Sequence, residues 1–176
     1  MAMTGRRPAT EAEARALASA VRLRILRLCL DRALTNKEIA GRLGVHPATV
    51  LHHVRTLVTT GFLVAEEERR GARGAREVPY RATGKSWVVD VEESEGQAAS
   101  GLGQAMLDAF LAEVRLVDLD RDAGLSRLGL RLSDDEFTEL RRRLAELLEE
   151  YKNRPLTPGG TAYSVFLSVH PDVTRD

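Results

Sequence analysis

The sequence predicts an α+β protein. An N-terminal domain of short helices is closed by a β-hairpin, a long amphipathic helix follows, and a small strand-helix-strand unit ends the chain. Three observations predict this order. Residues 35–62 carry two helical patterns around a Gly-containing turn, residues 62–82 carry two strand-like runs around a Gly- and Arg-rich tip, and residues 97–117 repeat apolar side chains at helical spacing.

Composition bounds the classes. The chain has 176 residues and 43% apolar content, enough for one or two small domains with a real core. No apolar run approaches a membrane span and no hydrophobic signal core opens the chain, so a cytoplasmic protein without a membrane partner is expected. A single cysteine allows no internal disulfide. Net charge is zero but unevenly spread. Residues 1–90 hold 16 Lys/Arg against 9 Asp/Glu, whereas residues 91–176 hold 10 against 17. A basic half and an acidic half suggest that one part meets a polyanion and the other does not.

Residues 1–9 read as a frayed terminus, with Arg6 and Arg7 as a candidate basic arm. Thr10 and Glu13 form a capping box that starts a helix running to about Ala18. In VRLRILRLCLDR, Val21, Ile25, Leu28 and Cys29 share one side with Leu26 and Leu30 beside them, while Arg22, Arg24, Arg27 and Arg32 take the rest. Cys29 lies on the apolar side and is expected to behave as a small buried hydrophobe.

Thr35 and Glu38 form a second capping box, Ile39, Ala40 and Leu43 supply an apolar face, and Gly44 breaks the helix. Pro47 suits a first helical position, with His46 before it as a mediocre cap. Val50, Val54, Leu57 and Val58 then form a buried stripe, and Gly61 ends the second helix. This is a helix-turn-helix arrangement. With the stripe inward, Ala48, Thr49, Leu51, His52, Arg55, Thr56 and Thr59 face out, and none is acidic. An acid-free face suits approach to phosphates and base edges.

After it, Phe62–Glu68 and Glu77–Ala82 bracket the tip RRGARGAR as a hairpin. Arg69, Arg70, Arg73 and Arg76, spaced by Gly71 and Gly74, are candidate wing contacts to phosphates or a minor groove.

The order of scaffold helix, TNKEIAGRLGV, TVLHHVRTLVTTGFL and a basic hairpin ending in PYRAT resembles the ArsR-type winged-helix regulators over roughly residues 12–85. The usual recognition helix of that family reads T-V-S-H-H-L. His52 and His53 match it, while Leu51 replaces the Ser and can meet a thymine methyl but not hydrogen-bond a base edge. The resemblance implies a homodimeric repressor of transcription, often released from DNA by an effector. Many relatives sense metals, but their thiolate pair and their Asp/His/Glu site on the dimer helix have no counterpart in TNKEIAGRL or in residues 97–117. His52 and His53 diverge by about 100° on a helix, and His46 sits roughly 10 Å of rise from His53, so no metal ligands are expected.

Residues 84–96 form a transition, with Trp87, Val88 and Val89 as packing residues and Glu92–Glu95 as an acidic linker. In the helix Gln97–Val117, Leu102, Met106, Ala109, Phe110, Val114 and Val117 share one side. Leu102, Met106, Phe110 and Val114 are the candidate dimerisation residues. Leu125–Leu132 reads as a strand, and Ser133 with Glu136 caps a helix lined by Phe137, Leu140, Leu144, Leu147, Leu148 and Tyr151. Arg141–Arg143 reads as solvated, and Tyr163–Val169 alternates as a final strand.

The expected organisation is therefore a winged helix-turn-helix domain over residues 10–90 and a C-terminal region over 97–176, which serves dimerisation and leaves room for a small-molecule effector. No nucleophile has a His partner at a telling spacing and there is no phosphate loop, so neither catalysis nor a cofactor is expected. The expected function is sequence-specific binding of double-stranded DNA at a near-palindromic operator. The alternative is a winged-helix module for protein contacts.

Overall fold

Thr10, Thr35 and Ser133 each open a helix by the capping box that their spacing predicts. In each, the hydroxyl accepts from the N–H three residues on, and the glutamate there accepts from the cap's own N–H, which satisfies two otherwise orphaned donors. The computed structural model describes residues 6–71, 74, 76–91, 101–119, 121 and 124–175. The chain divides into two compact units, Ala2–Leu116 and Val117–Asp176.

The first unit begins with β1 (Arg7–Pro8), α1 (Glu11–Leu17), α2 (Ala20–Leu28), β2 (Leu34–Thr35), α3 (Asn36–Leu43) and α4 (Pro47–Thr59). Next come β3 (Leu63–Ala65), β4 (Arg69–Arg70), β5 (Arg76–Glu77), β6 (Pro79–Ala82), a 3₁₀ turn (Lys85–Trp87), β7 (Val89–Asp90) and α5 (Leu102–Val114). An antiparallel sheet in the order β2-β6-β3 holds the base of the hairpin, and a separate antiparallel pair, β4-β5, forms its tip. This is the expected α+β class with an N-terminal winged helix-turn-helix.

One core runs through the unit. Ile25, Ile39, Val50, Val54, Leu57, Phe62 and Leu63 are fully buried and bring α2, α3, α4 and β3 together. Each such side chain contributes about 1.5–3 kcal/mol by leaving water. Cys29 is buried with them, and burial pushes its thiol up to about 11, so it packs as a hydrophobe.

Several expectations change. Residues 7–8 are not frayed: β1 pairs in parallel with β7, and the Arg6 Nε donates to the Trp87 carbonyl at 3.1 Å. Arg6 and Arg7 are thereby tied to their own unit and do not form a free arm. Val89 packs inward while Trp87 stays 42% exposed. Val58 is exposed, because it lies about 100° round from Leu57, on the flank it shares with Leu51. Leu30 is exposed because α2 stops at Leu28 and the helical phase no longer applies to it. Residues 1–5 and the Glu92–Glu95 linker lie outside the described residues, as do residues 97–100 of the long helix.

The second unit holds α6 (Asp134–Lys152). Arg142 pairs with Glu139 and Glu146, Arg143 pairs with Glu139, and Arg141 lies over the Phe137 ring, so the Arg run is solvated and locally neutralised. The two strands expected beside this helix do not form: no ladder joins any described residue of 124–132 or 161–170. Alternation sets which way side chains face but supplies no pairing partner. With Leu128 80% and Tyr163 84% exposed, no buried face fixes a register. None of the described residues of 117–175 is buried.

Candidate nucleic-acid interface

The second helix of the helix-turn-helix, α4, is set by its junction with α3. Gly44 caps α3 in the left-handed region at φ 67°, and its N–H returns to the Ala40 carbonyl. Asn36, at the start of α3, donates from Nδ2 to the Pro47 carbonyl at 2.9 Å and so fixes where α4 begins. The His46 Nδ1 accepts from the Ala48 N–H at 3.2 Å, a usable cap, and Pro47 takes the first turn. A Cβ at Gly44 meets nothing within 4 Å, so backbone strain alone opposes substitution. Gly44→Ala should therefore cost about 1 kcal/mol in urea unfolding with the fold retained.

Val50, Val54 and Leu57 anchor α4, which turns the opposite arc outward. Ala48, Thr49, His52, Arg55 and Thr59 are exposed and fall on one stripe, with Thr56 half-buried at its edge. The Thr56 hydroxyl donates to the His52 carbonyl at 3.2 Å and keeps its lone pairs for an incoming donor. Leu51 is half-buried on a flank with Val58, off the centre of the stripe. Thr59 belongs to the stripe by the same helical spacing. His53 differs from its neighbour: its Nδ1 is shielded without a partner among the described residues, and burial lowers its pKa, so it stays neutral against the scaffold.

The wing arginines separate into different roles. Arg69 reaches both carboxylate oxygens of Glu38 at 2.9 Å and clamps the hairpin to α3. Donation from the Thr35 N–H, helped by Arg69, holds the Glu38 carboxyl below its usual range. Arg76 pairs with Glu68 at 3.2 Å in a largely exposed contact that competition or salt would readily open. Arg70 is exposed on β4. Arg73 lies outside the described residues. The Arg69–Glu38 clamp and the Asn36–Pro47 bond are the positioning contacts that sequence reasoning missed. Asn36 at the head of a helix signals only local capping, and no local pattern singles out Arg69.

On α5 the four expected dimer residues divide. Leu102 turns to the core with buried Ala105 and Ala109, an i, i+3, i+7 row against the unit's own helices. Met106 is 46% exposed, Leu107 and Leu111 are exposed beside it, and Phe110 and Val114 are half-buried. The exposed apolar residues of α5 are thus Met106, Leu107 and Leu111, with Phe110 half-buried beside them. Among the described residues, no three His, Cys, Asp or Glu side chains are grouped to hold a metal ion, and no helix is long and apolar enough to cross a membrane.

Residues 17–65 match a family described as a helix-turn-helix domain. With the hairpin beside it, this match defines the class of the first unit: a winged helix-turn-helix domain. Among solved structures the chain is similar to reduced HlyU from Vibrio cholerae N16961, at 23% identity over 55% of this chain and 80% of that one, with a TM-score of 0.33. It is also similar to the adhesin competence repressor AdcR from Streptococcus pyogenes, at 19% identity over 76% and 80% of the two chains, TM-score 0.35. An apo form of ZitR from Lactococcus lactis gives 22% identity over 76% and 83%, TM-score 0.32. No curated protein sequence matches the chain.

Proposed function

We propose that the protein is a homodimeric, sequence-specific regulator of transcription that reads double-stranded DNA with α4, acting in the cytoplasm as a repressor of the ArsR type without metal ligands. The observation that carries this reading is the acid-free stripe Ala48, Thr49, His52 and Arg55, exposed along a helix whose other side is fully anchored. In a major groove, Arg55 has the reach and fork for a guanine edge, and His52 and Thr49 offer shorter polar contacts. Arg70 and, once released from Glu68, Arg76 would neutralise phosphates; Arg73 lies in the same tip sequence. Two copies joined through Met106, Leu107, Phe110 and Leu111 would bring two such helices to half-sites about 34–36 Å apart on a near-palindromic operator.

The test selects bound fragments from the source genome and measures affinity against salt by fluorescence anisotropy. Specific binding should weaken steeply with salt, and Arg55→Ala or His52→Ala should each lose about tenfold or more on the selected site with melting unchanged. Arg70→Ala should weaken all duplexes alike and reduce the salt slope by about one. Operator affinity unchanged in both α4 variants would refute this reading face. Leu111→Glu should convert a dimer to a monomer in light scattering; a monomeric wild-type chain would refute the dimer.

A further inference from the structure

The groove between α2, the end of α3 and α5 is lined by Arg24, Arg27, Arg42 and Glu113, with Leu28, Leu43 and Leu116 as its apolar wall, and has a volume of about 260 Å³. Its charge is unbalanced. Glu113, the one acidic residue among the described residues of the lining, is committed to Arg27 at 3.2 Å. Arg24 is different: its Nε is shielded from water and has no hydrogen-bond partner among the described residues. A guanidinium cannot shed its proton at any accessible pH, and a shielded N–H left unpaired carries its full desolvation penalty. With Arg24 so placed and two further arginines beside it in the lining, the groove favours an anionic acceptor.

We propose that this groove binds a small carboxylate with an apolar body, the carboxylate engaging Arg24 and Arg42 and the body lying on Leu28, Leu43 and Leu116. A bare inorganic anion would leave the three leucines uncovered, and Leu116 is 78% exposed. A groove of this size suits a short chain or a single ring. Because Arg24 belongs to the scaffold helix and Arg42 to the last turn of the first helix of the helix-turn-helix, the bound anion would cross-link the two. The site stands independently of the DNA-binding reading, since it is assayed on the free protein.

Titration of the full chain with hexanoate, hexanol and inorganic phosphate, followed by calorimetry and backbone amide shifts, tests it. Hexanoate should bind saturably, with hexanol and phosphate each about tenfold weaker or worse. Arg24→Gln and Arg42→Gln should each reduce hexanoate affinity by about tenfold. Arg42 is exposed, so its variant reports even if Arg24→Gln unfolds. Glu113→Gln, which releases Arg27 to the groove, should tighten hexanoate severalfold. Absence of saturable hexanoate binding would overturn the proposal, as would hexanol or phosphate binding as tightly as hexanoate, or affinity unmoved by both arginine variants.

Discussion

Phe62→Ala should destabilise the Ala2–Leu116 unit by about 3–5 kcal/mol, read as a lower urea midpoint with an unchanged slope. Phe62 is 1% exposed and is the largest of the fully buried side chains. It is also a joint. Its N–H donates to the Leu57 carbonyl at 2.8 Å at the end of α4, and its carbonyl accepts from the Thr83 N–H at 3.1 Å beyond β6. Gly61 before it, at φ 74°, turns the chain out of the helix in a conformation that costs other residues energy. The Lys85 ammonium sits 5.2 Å from the ring centroid, a cation–π contact on the ring itself. Truncation thus leaves a cavity where α4 meets the sheet, and a loss of this size is a large part of a typical 5–15 kcal/mol total. Phe62→Leu, which keeps much of the volume, should cost clearly less. Equal midpoints for wild type and Phe62→Ala would mean that the ring does not join helix and sheet.

What the sequence made legible is what local chemistry determines. A capping box spans four residues, so Thr10–Glu13, Thr35–Glu38 and Ser133–Glu136 could be read without tertiary knowledge. The Val50, Val54 and Leu57 anchor of α4 follows from spacing, whereas the flank does not: Val58 is exposed and Leu51 half-buried. The illegible features depend on distant partners. The β1–β7 pair joins two residues near the N-terminus to two residues about 80 positions later, and neither segment looks like a strand by itself. Arg69 resembles its neighbours in the tip until the fold sets it against Glu38. On α5 helical spacing groups Leu102 with Met106, Phe110 and Val114, whereas small Ala105 and Ala109 allow close approach of α2 and carry Leu102 inward with them. In the last unit, alternation in Leu125–Leu132 and Tyr163–Val169 described facing without a ladder to join.

Glu13→Gln should remove about 2–4 kcal/mol at neutral pH and flatten the acid limb of the stability curve. Glu13 is 5% exposed, so its charge survives only through its partners. Arg7 donates to both carboxylate oxygens, at 2.7 and 2.9 Å, and the Lys85 Nζ approaches Oε1 at 2.6 Å. The same Nζ donates to the Thr60 carbonyl at 2.6 Å at the end of α4, so one carboxylate ties β1, α1 and the exit of α4 together. Arg7 donation, then Lys85 and the Thr10 N–H, outweigh burial and hold the carboxyl well below its ordinary value of 4.5. The sign follows from linkage. A carboxyl depressed in the folded state contributes fully above its unfolded pKa and loses that contribution as pH falls from there through the folded value. Stability of the wild type should therefore begin to drop below about pH 4.5 and keep dropping far into acid, while Glu13→Gln starts lower and loses less over the same range. Glutamine can still accept from the Thr10 N–H, so Glu13→Ala should cost about 1 kcal/mol more through the lost capping box. Because Arg7 is half exposed, the effect belongs at the lower part of what breaking a buried pair costs. Parallel acid profiles for wild type and Glu13→Gln would show that the three-way contact does not hold its charge in solution.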